Sequence, residues 1–246
     1  MSSSALHVAR TGLEAQDARM RVIANNLANV ATTAFKRDRA NFATLAYQDA
    51  RVAGQQSSGE SAYATGLNLG TGVGVQSTTR IVTQGALDNT GNALDMAIQG
   101  EGYFQVALPG GQTAYTRAGN FTLSAEGQIV TQQGYVVQPP ISVPAGAGSV
   151  TIGADGTISA TVAGSGTPTQ LGQITIAGFA NSAGLSALGD NFLSETAASG
   201  PAQVGPAGAA GRGTLKQGML EASNVNVVQE LVDMIECQRA YEINSK

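Results

Sequence analysis

The side chains that most often carry chemistry are scarce in this 246-residue chain. Its single histidine, His7, and its single cysteine, Cys237, stand at opposite ends of the sequence. A hydrolytic triad needs a nucleophile, an imidazole base and an orienting acid, and no Gly-x-Ser-x-Gly elbow occurs to present a nucleophile. A zinc site needs three or four converging ligands. One His and one Cys would reach that number only with clustered carboxylates, which the sequence lacks. His7 therefore reads as a helix-interface residue and Cys237 as a small apolar one. No metal or cofactor is expected. A glycosidase needs only two acids, and Asp88, Asp95, Glu101, Glu126 and Asp155 are the candidates. Each lies in or beside a turn-like stretch, where a solvated carboxylate is the ordinary case. Gly70-Thr71-Gly72-Val73-Gly74 has the glycine density of a phosphate loop but not its lysine or the helix that follows. A turn or β-bulge is expected there.

Composition narrows the classes further. Hydrophobic residues make up 42%, enough for a packed core. Charged residues are 12%, about half the usual share of roughly 25%, which suggests a surface that partners cover. Net charge is −4, and the 13 basic residues form no long run, so nucleic acid is not an expected partner. No run approaches the ~18 apolar residues of a membrane span. Met1–Leu6 carry neither a basic run nor an apolar core, so no Sec-type signal peptide is expected. A lone cysteine permits no internal disulfide.

The elements fall into three zones. In residues 4–31, Leu6, Leu13, Met20 and Leu27 recur every seven positions, and Ala9, Gln16, Ile23 and Val30 recur three positions later. This a/d heptad predicts a coiled-coil-like helix capped by Ser4, ~42 Å long at about 1.5 Å per residue. A second helix is predicted over 227–246, capped by Asn226 with Gln229 in capping-box position. It carries two apolar stripes: Val227, Leu231, Met234 and Tyr241, and beside them Val228, Val232 and Ile235. Two stripes imply neighbours on more than one side. Isolated helices of this size are marginal in water, so both are expected to order fully only on assembly. Between them, short apolar runs alternate with glycine turns: 102–108 with 112–117, 120–123 with 128–131, and 150–152 with 157–162. These read as hairpins, and 171–179 as one further strand. Residues 48–66 and 197–214 read as loose surface segments. The fold class is α+β, with terminal helices bracketing a mostly antiparallel β domain. The expected domains are 1–36 with 223–246, a connecting stretch 37–72, and a β-rich outer domain 73–222.

At Asn25-Asn26-Leu27-Ala28-Asn29-Val30-Ala31-Thr32-Thr33-Ala34-Phe35-Lys36-Arg37 the sequence closely resembles the N-terminal motif of flagellar rod and hook proteins. Ala34 stands where that family usually has glycine. Residues 221–226, 230–235 and 238–246 resemble the family's C-terminal block, which usually continues further, so the chain resembles a shortened member. Residues 96–106 and 115–121 are similar to its middle. The β content exceeds that of short proximal rod proteins and falls below that of hook proteins. Residues 47–73 resemble the stretch typical of the distal rod, with another rod protein of similar length as the competing reading.

The resemblance implies export through the flagellar type III apparatus and assembly under a rod cap into a helical homopolymer crossing the periplasm. It implies contacts with proximal rod proteins, the hook protein and the P- and L-ring bushing, and transmission of torque. The implied interface comprises the heptad and stripe residues above with Asn25, Asn29 and Phe35. Asn25 and Asn29, one turn apart, either set the stagger between subunits or satisfy the last turn of the helix. Two other classes stay open: a peptidoglycan-active hydrolase, and a monomeric binding module whose helix hairpin caps a β-sandwich.

Overall fold

The computed structural model describes residues 2–58, 61–162 and 167–245. It comprises two compact units: one of Met1–Ala28, Asp38–Ile81 and Asn226–Lys246, the other of Asn29–Arg37 and Val82–Val225. The sequence reading grouped residues 29–36 with the helices and 37–72 as a connector. The contacts instead place 29–37 in the β unit and 38–81 with the helices, for reasons given by the side chains below.

In the helical unit, α1 (Ser2–Ala28) pairs with α2 (Val227–Ser245). The pairing is antiparallel: Gln16 meets Cys237, Arg19 meets Asp233, and Asn26 meets Glu230. α1 stops three residues before the predicted end. The amide of Thr32 donates to the Asn29 carbonyl (3.1 Å) and its hydroxyl to Asn29 Oδ1 (3.1 Å), closing a turn that takes Val30 off the helix. α2 starts as predicted, with Asn226 Oδ1 accepting from the amides of Val228 (3.1 Å) and Gln229 (3.3 Å). The Gln229 side chain reaches forward to Asp233, so the capping box is half made. Among the described residues, no helix is long and apolar enough to cross a membrane.

The rest of this unit is one long hairpin. Its strands are β1 (Asp38–Thr44), β2 (Tyr47–Arg51), β3 (Gln56–Ser58), β4 (Ser61–Ala62), β5 (Leu67–Gly70) and β6 (Val73–Arg80). They pair in nested antiparallel ladders, β1–β6, β2–β5 and β3–β4. Residues 48–66 therefore carry most of β2 and all of β3 and β4, a correction to the loose segment expected. Their polar composition hid a ladder that satisfies the backbone while leaving both faces exposed, and Arg51 stacks 4.1 Å over the Tyr63 ring. Residues 59–60 of that segment, and Lys246 of the second helix, lie outside the described residues. The glycine cluster at 70–74 is the joint between β5 and β6. Gly72 has φ of +120°, and a side chain there would strike Thr11 of α1.

The β unit runs through β7 (Leu87–Asn89), β8 (Met96–Gln99), β9 (Tyr103–Ala107), β10 (Thr113–Thr116), β11 (Thr122–Leu123), β12 (Ile129–Val130), β13 (Val137–Gln138), β14 (Ala147–Ile152) and β15 (Thr157–Val162). It continues through β16 (Thr169–Gln173), β17 (Thr175–Gly178), β18 (Ser186–Gly189), β19 (Phe192–Ser194), β20 (Gln203–Pro206), β21 (Thr214–Gln217) and β22 (Met219–Glu221). The order β18-β19-β10-β9-β17-β20, with β13 also on β9, makes a seven-stranded sheet. The β9–β10, β11–β12 and β14–β15 hairpins match the glycine-turn reading. The expected strand 171–179 is two: β16 pairs with β15, whereas β17 pairs with β9 and β20, and buried Ile174 sits between them. The 197–214 segment contributes β20 to the sheet edge, where Gly and Pro concealed it. Met96, Ile98, Phe104, Phe121, Ile158 and Ile176 centre the core, with Phe104 and Phe121 edge to face at 5.1 Å.

Candidate assembly surface

The fully buried line of α1 is Thr11, Ala15, Ile23 and Asn26, and the buried side chains of α2 are Glu230 and Cys237. The buried positions of the two helices are thus mostly small or polar, with Ile23 the one large apolar residue among them, rather than a leucine seam. Asn26 organises the contact. Its Oδ1 accepts from the Asp38 amide (2.9 Å), and its Nδ2 donates to the Asp38 carbonyl (2.9 Å) and to Glu230 Oε2 (3.2 Å). One amide side chain thereby ties α1, the start of β1 and α2. Cys237 Sγ donates to the Gln16 carbonyl at 3.1 Å. Burial pushes its thiol pKa up, away from reactive thiolate.

Because polar and small residues fill that contact, apolar side chains are left outside it. Val228 is 72% exposed and Ile235 51%, and Val227, Leu231, Val232 and Tyr241 are exposed with them. Met234 is half-buried. On α1, Ile23 is buried, Leu13, Met20 and Leu27 are half-buried, and Leu6 is 68% exposed. Asn25 is exposed, while Asn29 and Val30 are half-buried in the turn after the helix. Val228, Leu231, Val232 and Ile235 lie at i, i+3, i+4 and i+7, so they form a single open stripe. His7 is exposed.

Phe35 belongs to the β unit and is buried there. It introduces a cluster the sequence reading missed. Glu221, fully buried in β22, accepts from Arg117 Nε (2.7 Å), the Gly85 amide (2.9 Å) and Lys36 Nζ. Arg117 also donates to the carbonyls of Gly102 (3.0 Å), Gly100 (2.9 Å) and Ile98 (3.2 Å). Lys36 also donates to the Thr83 carbonyl (2.8 Å). Burial alone would raise the Glu221 pKa, but Arg117 and the Lys36 hydrogen bond hold it below the ordinary carboxyl value. Burial lowers the Lys36 pKa against the opposing pull of Glu221. Around this cluster the Ala34 amide donates to the Glu221 carbonyl (2.7 Å), the Asn224 amide to the Phe35 carbonyl (3.3 Å), and the Arg37 amide to Asn224 Oδ1 (2.8 Å). Ala34 has φ of +57°, the left-handed region in which glycine is at ease.

The candidate acids are occupied locally. Asp95 accepts from Thr90 Oγ1 (2.6 Å) and Asn92 Nδ2 (3.0 Å). Asp155 accepts from the Thr157 hydroxyl and amide, and these bonds lower its pKa. Asp88, Glu101 and Glu126 are exposed.

Three family profiles match the chain. Residues 6–36 match "Flagella basal body rod protein", residues 97–160 match "Flagellar hook protein FlgE/F/G D1 domain", and residues 216–246 match "Flagellar basal body rod FlgEFG protein C-terminal". These profiles define a class of flagellar rod and hook proteins. Within it, the chain is 51% identical to the flagellar basal-body rod protein FlgG of Buchnera aphidicola subsp. Acyrthosiphon pisum, covering 98% of this chain and 93% of the relative. One bacterium, Caulobacter vibrioides, separates the subfamilies. Its FlgG is 48% identical, over 98% of this chain and 93% of that protein, and its FlgF is 34% identical, over 92% and 84%. The chain belongs to the FlgG family of flagellar basal-body rod proteins. It is a structural subunit of the flagellar rod, works in the basal body in the service of motility, and assembles with other rod and hook components.

Proposed function

We propose that this subunit builds the distal rod, polymerising into a helical tube across the periplasm that carries torque from motor to hook, without catalysis. The observation that carries the reading is the open stripe Val228, Leu231, Val232 and Ile235. Each such side chain contributes roughly 1.5–3 kcal/mol when buried, before ordering costs. With Leu6, Leu13, Met20, Leu27, Val30, Asn25, Asn29, Val227, Met234 and Tyr241, the stripe makes up the assembly surface; Ile23 and Phe35, also expected there, are buried within the subunit. In this reading the terminal helices, residues 2–28 and 227–245, form the axial core, and the hairpin over 38–81 bridges neighbours. The flanking partners are the proximal rod proteins, the hook protein, the P- and L-ring bushing, the rod cap and the type III export apparatus. A peptidoglycan hydrolase is the less favoured alternative, since the relatives bear the names of rod proteins.

Sedimentation and negative-stain microscopy test the reading. The intact chain is expected to form filaments, and a chain without residues 1–28 and 226–246 is not. Filaments from the shortened chain would overturn it.

A further inference from the structure

The chain leaves the β unit at three places within its fold: after Arg37, before Val82 and after Val225. All three converge on Glu221. At the first exit stand Lys36 and Arg37, at the second Thr83 and Gly85, and at the third Asn224. Asn224 Nδ2 donates to the Thr83 carbonyl (3.0 Å), joining the third exit to the second, while Arg37 joins the first to the third. Gly85 must be glycine here, because a side chain would run into the Ala222 carbonyl. Side-chain exposure is 0% for Glu221, 6% for Lys36 and 7% for Arg117, so the group is shielded from water.

The two cations are not equivalent. Arg117 is anchored by three carbonyls of the 98–102 turn in addition to Glu221, and so belongs to the body of the unit. Lys36 holds only Glu221 and Thr83, and it comes from 29–37, a stretch without helix or strand. A buried ion pair contributes little net stability over apolar packing but is costly to break from one side. That suits a device that fixes where an irregular segment docks.

We propose that Lys36, docked on the Arg117–Glu221 pair, is a clamp that gathers the three exits and keeps residues 29–37 ordered in the free subunit. The sequence expectation that the terminal helices order fully only on assembly is separate from this inference, whose test does not require a polymer. Hydrogen exchange on the monomeric full-length chain is the measurement. In the parent, amides of 29–37 are expected to be protected like those of 82–225, although the hairpin over 38–81 separates them in sequence. In Lys36→Met, exchange over 29–37 and 222–225 is expected to rise roughly tenfold or more, with 96–107 unchanged. Parent exchange over 29–37 as fast as in an unstructured peptide would overturn the clamp. So would an unchanged Lys36→Met pattern, or loss of protection across the whole β unit, which would make Lys36 an ordinary part of the core. If α1 and α2 prove protected in the monomer, the assembly-coupled ordering fails while the Lys36→Met comparison still decides the clamp.

Discussion

The two units use apolar residues in opposite ways. In the β unit Met96, Ile98, Phe104 and Ile176 are wholly enclosed, and even the charged Glu221 finds three donors. In the helical unit the enclosed line is Thr11, Ala15, Ile23, Asn26, Glu230 and Cys237, with Ile23 the one large apolar residue, whereas Val228 and Leu6 face solvent. The first unit is complete within one chain. The second encloses mostly polar and small side chains and leaves an apolar stripe open, the pattern of a surface that a partner covers.

The comparison can be broken most directly at Glu221. Glu221→Ala leaves two buried cations without their counter-charge and is expected to lower stability by about 3–5 kcal/mol, read from denaturant midpoints. Val228→Asp with Ile235→Asp should do the reverse. Monomer stability should shift by no more than about 0.5 kcal/mol, while sedimentation shows filament growth abolished. A large loss of monomer stability would mean the stripe is internal after all.

Acid sharpens the same contrast. The folded Glu221 pKa lies below its ordinary value of 4.5, so the folded state binds this proton less readily than the unfolded state. Its contribution is fully present above that value and drains as pH falls through the folded pKa. Thermal melts below pH 4.5 should drop steeply in the parent, and Glu221→Gln should flatten that slope. The smallest effect belongs to Ala34→Gly, expected to stabilise the β unit by about 1 kcal/mol by relieving the left-handed backbone, seen as a modest rise in melting temperature. No rise would mean the turn relaxes without glycine.

What the sequence disclosed was local. Heptads, Asn226 as a cap and glycine turns act within a few residues, and both helices and three hairpins followed from them. The oddity of Ala34 was visible too, and its positive φ supplies the reason. The clamp was not legible, because Lys36 and Glu221 lie 185 residues apart and each reads alone as a surface charge. Asn26 was passed over for Asn25 and Asn29 because one-turn spacing singled those out. Its own signal was a shared face with Thr11 and Ala15, a small and polar line that a search for leucines ignores. The polar hairpin over 48–66 failed differently: strand propensity reflects packing, and this ribbon has little to pack against.

That separation of 185 residues also sets an order of events. A polypeptide synthesised from its amino end presents Lys36 early and Glu221 only 185 residues later. Closing so long a loop adds only slowly growing entropy, yet it cannot begin before both ends are present. The β unit therefore has no finished form to adopt until Glu221 has been made, and its completion records that both ends of that long loop are in place.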